Sequence, residues 1–505
     1  MPVGTLSNSG RTMPSSETCK WNAASNSIVF KFQRRDFTVT SIVDDGSGFA
    51  KVTISGTVPS GYSVKVDDYI CLIGDVGLSP PTDVTGVYQV TNVTSANVFT
   101  IDLPYTFDVS GTMYLNFNSG VYQTGYTRKY INYYLEVKVN FTPPNGTQSQ
   151  VGIKRVHAQP DGTIVVNLQS MLEGCVTADF EPDYNATGFE QNDTMWGSYN
   201  ISYQEFYEGS SGGGASLTGY YITNSAKQIQ ETYGQNMGVY FSSLNSLQIC
   251  KWLEPYNPNT QYHYQMRLRM WKGLPFELSI IWSELLTSAG IMLMTNYYAD
   301  NDQFQTYNRT GPYTYAIGVN HLKVIDDSWC DSGYNMIGFV LQKRTGTIRS
   351  PIYTTISEEQ LVYIECCIPR NPLYLRWSNQ LGNYNYWCFS YNQEYSKQTG
   401  NAVLMERYVE ELATASSKKK KVSQQAIQKV KFGASDLNDD DIQLVESIID
   451  SVKVEMLMNI TDWSSGALWQ EVVVETGNYG GHDTNASYHG FEAIMELPQL
   501  NLLKQ

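Results

Sequence analysis

At 505 residues with 42% hydrophobic side chains, the chain is long enough for several domains and apolar enough to give each a core, which excludes wholesale disorder. Charged residues make up only 16%, against about 25% in ordinary soluble domains, and 49 acidic residues outweigh 34 basic ones for a net charge of −15. That balance argues against specific nucleic-acid binding, because gripping phosphates needs clustered lysine and arginine. DNA would meet an acidic wall and slide past it. Tyrosine is the unusual residue, with 37 copies against 18 Phe and 10 Trp. Its apolar ring and polar tip suit half-buried sheet positions and wet interfaces. A surface poor in charge and rich in tyrosine fits a protein that packs against neighbours; a secreted β-domain protein is the competing reading.

The polar opening Met1–Ser16 has no apolar stretch of the kind a signal peptide needs. Ser27–Phe32 alternates apolar and polar in the manner of a half-buried strand. From Phe37 to Phe117 the chain is dense in Val, Thr, Gly and Asp. Strands such as Ala50–Ser55 and Gly86–Val93 alternate there with turn signals at Asp45-Gly46 and Pro59-Ser60-Gly61, which predicts a small closed barrel inserted into a larger domain. The larger domain resumes at Tyr130–Phe141, where Tyr133, Leu135, Val137, Val139 and Phe141 share one face. Asn145-Gly146 predicts a hairpin through a two-residue loop with positive φ, and Pro160-Asp161-Gly162 a second turn before the strand Thr163–Leu168. Repeated hairpins without helical periodicity predict a β-sandwich.

Gly209–Gly214 reads as a flexible loop; it holds no lysine and no helix follows, so it is no phosphate cradle. Tyr220–Arg370 gives further strands, Tyr262–Trp271 among them, and predicts a second sandwich-like domain. Leu278–Met294 is the most hydrophobic segment, yet Glu284 interrupts it and it is short for a membrane helix of about 20 apolar residues. Two buried strands joined by a turn fit it better, and no membrane insertion is expected. A short helix is expected at Leu404–Ala413, then a solvated loop at the lysine run Lys418–Lys421; the alternative for that run is docking onto an acidic neighbour, a further copy of this chain included. A clear helix follows, with Asn438 as N-cap, Asp439, Asp440 and Asp441 in the first turn and Leu444, Val445, Ile448 and Ile449 on one face. The aspartates there read as capping residues. Strands are expected at Val452–Met458, Leu468–Glu475 and Phe491–Leu497.

The predicted fold is therefore mainly β: multi-domain β-sandwiches with an inserted small β-barrel and a C-terminal α+β domain. The expected domains are 1–36 with 118–190, the barrel 37–117, a second sandwich 191–370, and the α+β domain 371–505.

Chemistry is sparse. The eight cysteines (Cys19, Cys71, Cys175, Cys250, Cys330, Cys366, Cys367 and Cys388) form no CxxC pair and read as buried, reduced thiols. The five histidines are His157, His263, His321, His482 and His489. Only His482 and His489, with Asp483 in a glycine-rich hairpin, suggest a metal or acid–base site, and no third ligand stands nearby. No GxSxG, HExxH, P-loop or Cys/His signature is present. No catalytic, cofactor-binding or metal residue is expected, and the chain reads as a non-enzyme.

Four stretches carry a resemblance. Trp21-Asn-Ala-Ala-Ser-Asn-Ser-Ile-Val-Phe-Lys-Phe-Gln-Arg-Arg-Asp36 is similar to the opening of virion proteins of tailed phages that infect Bacteroidetes, crAss-like phages included. Asn371–Trp387 resembles the "YLRW-N-LGG-DYW" stretch of the same group, with Leu381-Gly382-Asn383 in place of its "LGG", a departure expected to cost one flexible turn position. Trp469–Val474 and Gly490–Pro498 also have counterparts there. The resemblance spans most of the chain apart from the barrel. It implies a virion structural protein, expected to be a tail ring, hub or baseplate-proximal subunit that assembles with copies of itself and with other tail, connector or portal-proximal proteins in the host cytoplasm. The alternative is a receptor- or glycan-binding protein at a tail tip or head surface. The group supplies no catalytic residues.

Overall fold

The computed structural model describes residues 3–7, 21–25, 27–34, 37–55, 64–73, 75–76, 82–83, 86–105, 113–116, 133–159, 163–184, 189–207, 210–224, 250–253, 266–282, 291–298, 304–313, 318–323, 335–347, 349–406, 408, 419–475 and 488–497. The protein is mainly β, and it divides into two compact units, Met1–Val176 with Gly197–Ile222, and Thr177–Trp196 with Thr223–Gln505.

The first unit holds a β-sandwich. A three-stranded sheet is ordered Val3–Ser7, Val29–Arg34, Thr163–Asn167. It faces a five-stranded sheet ordered Ser149–His157, Tyr134–Thr142, Trp196–Tyr207, Ser210–Thr223, Trp21–Ala23. Period-two alternation puts Leu135, Val137, Val139 and Phe141 on one side of their strand, and all four are buried with Phe30, Phe32, Ile164 and Val166 of the other sheet. Phe30 meets Tyr220 edge-on at 5.3 Å, and Phe32 packs on Tyr203 at 4.9 Å.

Between Arg34 and Tyr134 the six strands Phe37–Asp44, Phe49–Ile54, Tyr69–Ile73, Gly86–Ser95, Val98–Pro104 and Met113–Asn116 close into a barrel. Its own core contains Val39, Ile42, Val52, Ile70, Leu72, Val90, Phe99 and Ile101. Leu115 pairs with Phe37, so the barrel leaves where it entered.

Among the described residues, three sheets make up the second unit. One is ordered Phe189–Gln191, Gly318–Lys323, Glu277–Trp282, Cys250–Trp252. Another runs Leu268–Trp271, Gln360–Glu365, Met336–Thr347, Ile291–Tyr298, Phe304–Tyr313, with Ser350–Thr355 pairing to Met336–Thr347. Seven strands form the third: Tyr384–Phe389, Leu373–Ser378, Val454–Leu457, Trp469–Val474, His489–Leu497, Lys419–Leu437, Tyr391–Glu406. The helix Asp439–Glu446 covers that sheet through Ile442, Leu444 and Val445, with Ile448 just beyond it.

Several expectations need correction. Trp196–Tyr207 pairs with Tyr134–Thr142 from end to end, so these residues finish the first sandwich and do not open a second domain at residue 191. A boundary at 371 is also absent from the packing, because one apolar cluster includes Trp252, Leu278 and Leu341 together with Leu375, Trp377 and Phe432. Glu277–Trp282 and Ile291–Tyr298 are buried strands as expected, yet they lie in different sheets.

Ser210–Gly214, read as a flexible loop, belongs to a long strand. The turn after Tyr134–Thr142 is longer than two residues: Gly146 N donates to Pro143 O at 3.2 Å, and Gly146 has no positive φ. Leu404–Glu406 is strand where a helix was expected, and it pairs with Lys419–Lys421, read before as a loop. Cys366 is disulfide-bonded, unlike the free thiols Cys175, Cys250, Cys367 and Cys388, and Cys367 is exposed. The turns at 59–61 and 160–162, most of the expected helix 404–413, and Cys19, Cys330, His263, His482 and Asp483 lie outside the described residues.

Candidate functional site

Three polar constellations and one exposed arm in the second unit are candidates for function. The first centres on Arg376, whose side chain is wholly buried in the strand Leu373–Ser378. Its Nε donates to Glu455 at 2.7 Å, and its two terminal nitrogens donate to the Tyr184 hydroxyl at 2.9 Å and to Glu181 at 2.5 Å. The guanidinium lies between the rings of Tyr384 and Trp469, 4.4 Å from each centroid, which is cation–π distance. Tyr184 continues the chain to the Tyr386 hydroxyl at 3.0 Å. Burial pushes the Tyr184 and Tyr386 phenols well above the usual range and the Tyr384 phenol up to about 12. A buried cation held by two carboxylates and a phenol ties these strands together. One sequence signal pointed to it: a single arginine inside the apolar run Leu373-Tyr-Leu-Arg-Trp377.

A second constellation, missed in the sequence, joins Ser279, His321, Glu277, Asn192 and Asn383. All five are at least nine-tenths buried. Ser279 Oγ lies 2.6 Å from His321 Nδ1, which suggests a nucleophile and its base. Glu277 Oε1 also lies 3.2 Å from Nδ1, and the hydrogen-bond directions run against a serine nucleophile. Ser279 gives its hydroxyl proton to Asn383 Oδ1 at 2.6 Å, so His321 Nδ1 must donate to Ser279. The other ring nitrogen, Nε2, then accepts from Asn192 Nδ2 at 2.8 Å. Asn192 Oδ1 is in turn fixed by the backbone N–H groups of Thr194 and Met195. Phe180 stacks on the imidazole at 4.2 Å. The histidine donates to the serine when a general base would have to accept from it.

This network also explains the departure Leu381-Gly382-Asn383. Gly382 has φ +93°, and a Cβ there would meet Asn224 O at 1.6 Å, so glycine is required. Asn383 does more than give up a flexible turn position. Its amide N donates to Asn379 Oδ1 at 3.0 Å while its side chain accepts from Ser279.

The third constellation is the helix start. Asn438 Oδ1 accepts from Asp441 N at 2.9 Å, as expected of an N-cap. The three aspartates do not act alike. Asp441 is buried and takes two hydrogen bonds from Arg269, at 2.8 and 2.6 Å. Asp439 lies 3.1 Å from His489 Nε2. Asp440 sits 3.5 Å from the Arg267 N–H. The capping expectation therefore holds for Asn438 and needs correction at Asp441, which is one half of a buried ion pair. His489, the member of the His482, Asp483 and His489 constellation that lies among the described residues, is a strand residue facing Asp439. Among the described residues no group of three His, Cys, Asp or Glu side chains is placed to hold a metal. His157 lies in the first unit, where its Nδ1 is 3.0 Å from Tyr133 O.

The exposed feature is the hairpin Tyr391–Glu406 with Lys419–Leu437. Lys419–Leu437 pairs with His489–Leu497 only from Gln428 onward. Among the described residues, from residue 427 back to Lys419 its partner is the other arm strand alone. At about 3.4 Å per residue the unsupported part reaches roughly 30 Å. It carries Val403, Leu404 and Met405 at 45–58% exposure, with Tyr408 at 91% just past the paired strand. Leu404, Met405 and Glu406 face Lys421, Lys420 and Lys419 across the hairpin.

A groove of about 590 Å³ is lined by Gly273, Ile368, Pro372, Ile460, Thr461, Trp463 and Ser464, and Trp463 Nε1 donates to Gly273 O at 2.7 Å. The chain matches no protein-family model and no curated protein sequence. No helix among the described residues is long and apolar enough to cross a membrane.

Proposed function

We propose that this protein is a structural component of a bacteriophage virion, a tail ring, hub or baseplate-proximal subunit that assembles through protein–protein contacts and catalyses no reaction. The arm is the observation that carries the reading. A two-stranded hairpin alone is at best marginally stable in water, and among the described residues this one extends past its sheet with large apolar side chains exposed. An arm of that kind gains its stability from a partner surface, as assembly subunits do. The excess of tyrosine and the low charge fit the same role. The resemblance of Trp21–Asp36 and Asn371–Trp387 to virion proteins of Bacteroidetes phages supplies the virion and the tail. The buried Arg376 and His321 networks link strands of the second unit, which fits a structural role.

Mass spectrometry of purified particles of the phage that encodes the chain tests this, with gold-labelled antibody locating it. The expected result is a stoichiometric band in intact particles, labelled at the tail. Its absence from particles that infect normally contradicts the proposal.

The groove beside Trp463 favours a second reading, a receptor- or glycan-binding protein at the tail tip or head surface. Titration of host surface glycans against the chain separates the two, because saturable binding lost in Trp463→Ala supports the second.

A further inference from the structure

The geometry points to an occupant for the arm: the inserted barrel of a second copy of this chain. This rests on the assembly reading above and adds the partner and the site. The arm combines exposed aliphatic residues (Val403, Leu404, Met405) with Lys419, Lys420 and Lys421 directly across the hairpin; Lys419 pairs with Glu406 at 2.9 Å, and three lysines against that one carboxylate leave this part of the arm net positive. It is a basic, apolar finger on a chain of net charge −15. Its counterpart must be acidic with apolar side chains exposed beside the charges. The barrel answers both needs. Residues 37–117 contain eight aspartates and two lysines, with no glutamate, arginine or histidine, for a net charge of −6.

One hairpin of the barrel brings the two characters together. Val43 and Phe49 are 39% and 40% exposed on either side of the tight turn that holds Asp44 and Asp45. That turn is rigid. Asp44 Oδ1 accepts from Gly46 N at 2.9 Å and Asp45 Oδ1 from Ser47 N at 2.8 Å, so its carboxylates are held in place before any partner arrives. Two exposed apolar patches bearing opposite charge lower the cost of association and steer it. An arm entering the barrel of the next copy is a head-to-tail contact, which closes into a ring if the rotation allows.

The test mixes full-length chain of natural isotope content with uniformly nitrogen-15-labelled chain, applies a zero-length carbodiimide that joins lysine to a carboxylate in contact, and maps the products by mass spectrometry. The expected result is mixed-isotope links from Lys419, Lys420 or Lys421 to Asp44 or Asp45, lost at molar salt. The variant Lys419→Glu/Lys421→Glu, whose thermal unfolding should match the parent, should weaken association at least tenfold and abolish those links. Oligomers that form with links elsewhere, or isotopically pure links only, overturn this docking site and leave the assembly role standing. A chain that stays monomeric and unlinked at every concentration overturns both.

Discussion

Arg269 grips Asp441 with two nitrogens, at 2.8 and 2.6 Å, and so ties the strand Leu268–Trp271 to the first turn of the helix Asp439–Glu446. The Asp441 side chain is 3% exposed and that of Arg269 24%, so the pair is shielded from water. Arg269 also reaches Glu365 at 2.5 Å. Asp441→Asn removes one charge of a buried pair and should cost about 3 kcal/mol, at the low end for such pairs because Glu365 still partners the arginine. Asp440→Asn should cost only the charge–dipole part, roughly 0.3–1 kcal/mol. Denaturant unfolding of the second unit compares them. Equal costs for the two substitutions would show that Asp441 is no more than a dipole partner.

Alkaline pH provides a second measurement. Burial raises the phenols of Tyr184, Tyr374 and Tyr386 well above 10, and that of Tyr384 up to about 12. A raised folded-state value means that the folded form holds its proton longer than the unfolded form does. The stabilisation is then fully present below pH 10 and falls as pH climbs above it, by about 1.4 kcal/mol per pH unit for each such group. Thermal melts should drop steeply between pH 10 and 12. Phenolate absorbance from these tyrosines should rise only with unfolding. A smooth, non-cooperative rise at pH 10 would mean that the phenols are accessible to solvent.

Ser279 offers a test of the hydrogen-bond directions. Ser279→Ala removes the hydroxyl that accepts from His321 Nδ1 and leaves Glu277 Oε1, 3.2 Å away, as its remaining neighbour, so it should cost about 0.5–1.5 kcal/mol. A fluorophosphonate probe should leave the native serine unlabelled, because His321 donates to its oxygen. Covalent labelling at Ser279 would show an activated nucleophile and contradict a purely structural role.

The barrel should be removable. Since Leu115 and Phe37 are paired neighbours, a short Gly/Ser linker can replace 37–116 without stretching the chain. The sandwich core around Phe30, Phe32, Leu135 and Val137 contains no barrel residue, so circular dichroism and a cooperative melt should persist. An insoluble product would show that the two cores fold as one.

How far the sequence reached follows from where its signals were local. Alternation along Tyr134–Thr142, the Val- and Asp-rich barrel, and the Asn438 cap are each written in adjacent residues, and each predicted element exists. Strand pairing across long separations left no local trace. Trp196–Tyr207 completes a sheet begun far upstream, and nothing within its own residues says which sheet it joins. The glycines at 212–214 looked like loop because a strand that carries them loses side-chain packing, yet Ser210–Thr223 is held by its neighbours in the sheet. The same limit hid the His321 network, whose members are scattered from Asn192 to Asn383. The arm was half legible. Its lysines and apolar residues were visible, but only the register Leu404 to Lys421 shows that they form one exposed surface.

Self-association through the arm is the central claim, and sedimentation velocity of the full-length chain against the variant Leu404→Asp/Met405→Asp tests it most directly. Both residues are about half exposed, so the variant should keep the parent's melting temperature. The parent should form concentration-dependent oligomers and the variant should sediment as a monomer across the same range. A parent that is monomeric throughout, or a variant that associates as strongly as the parent, would contradict it.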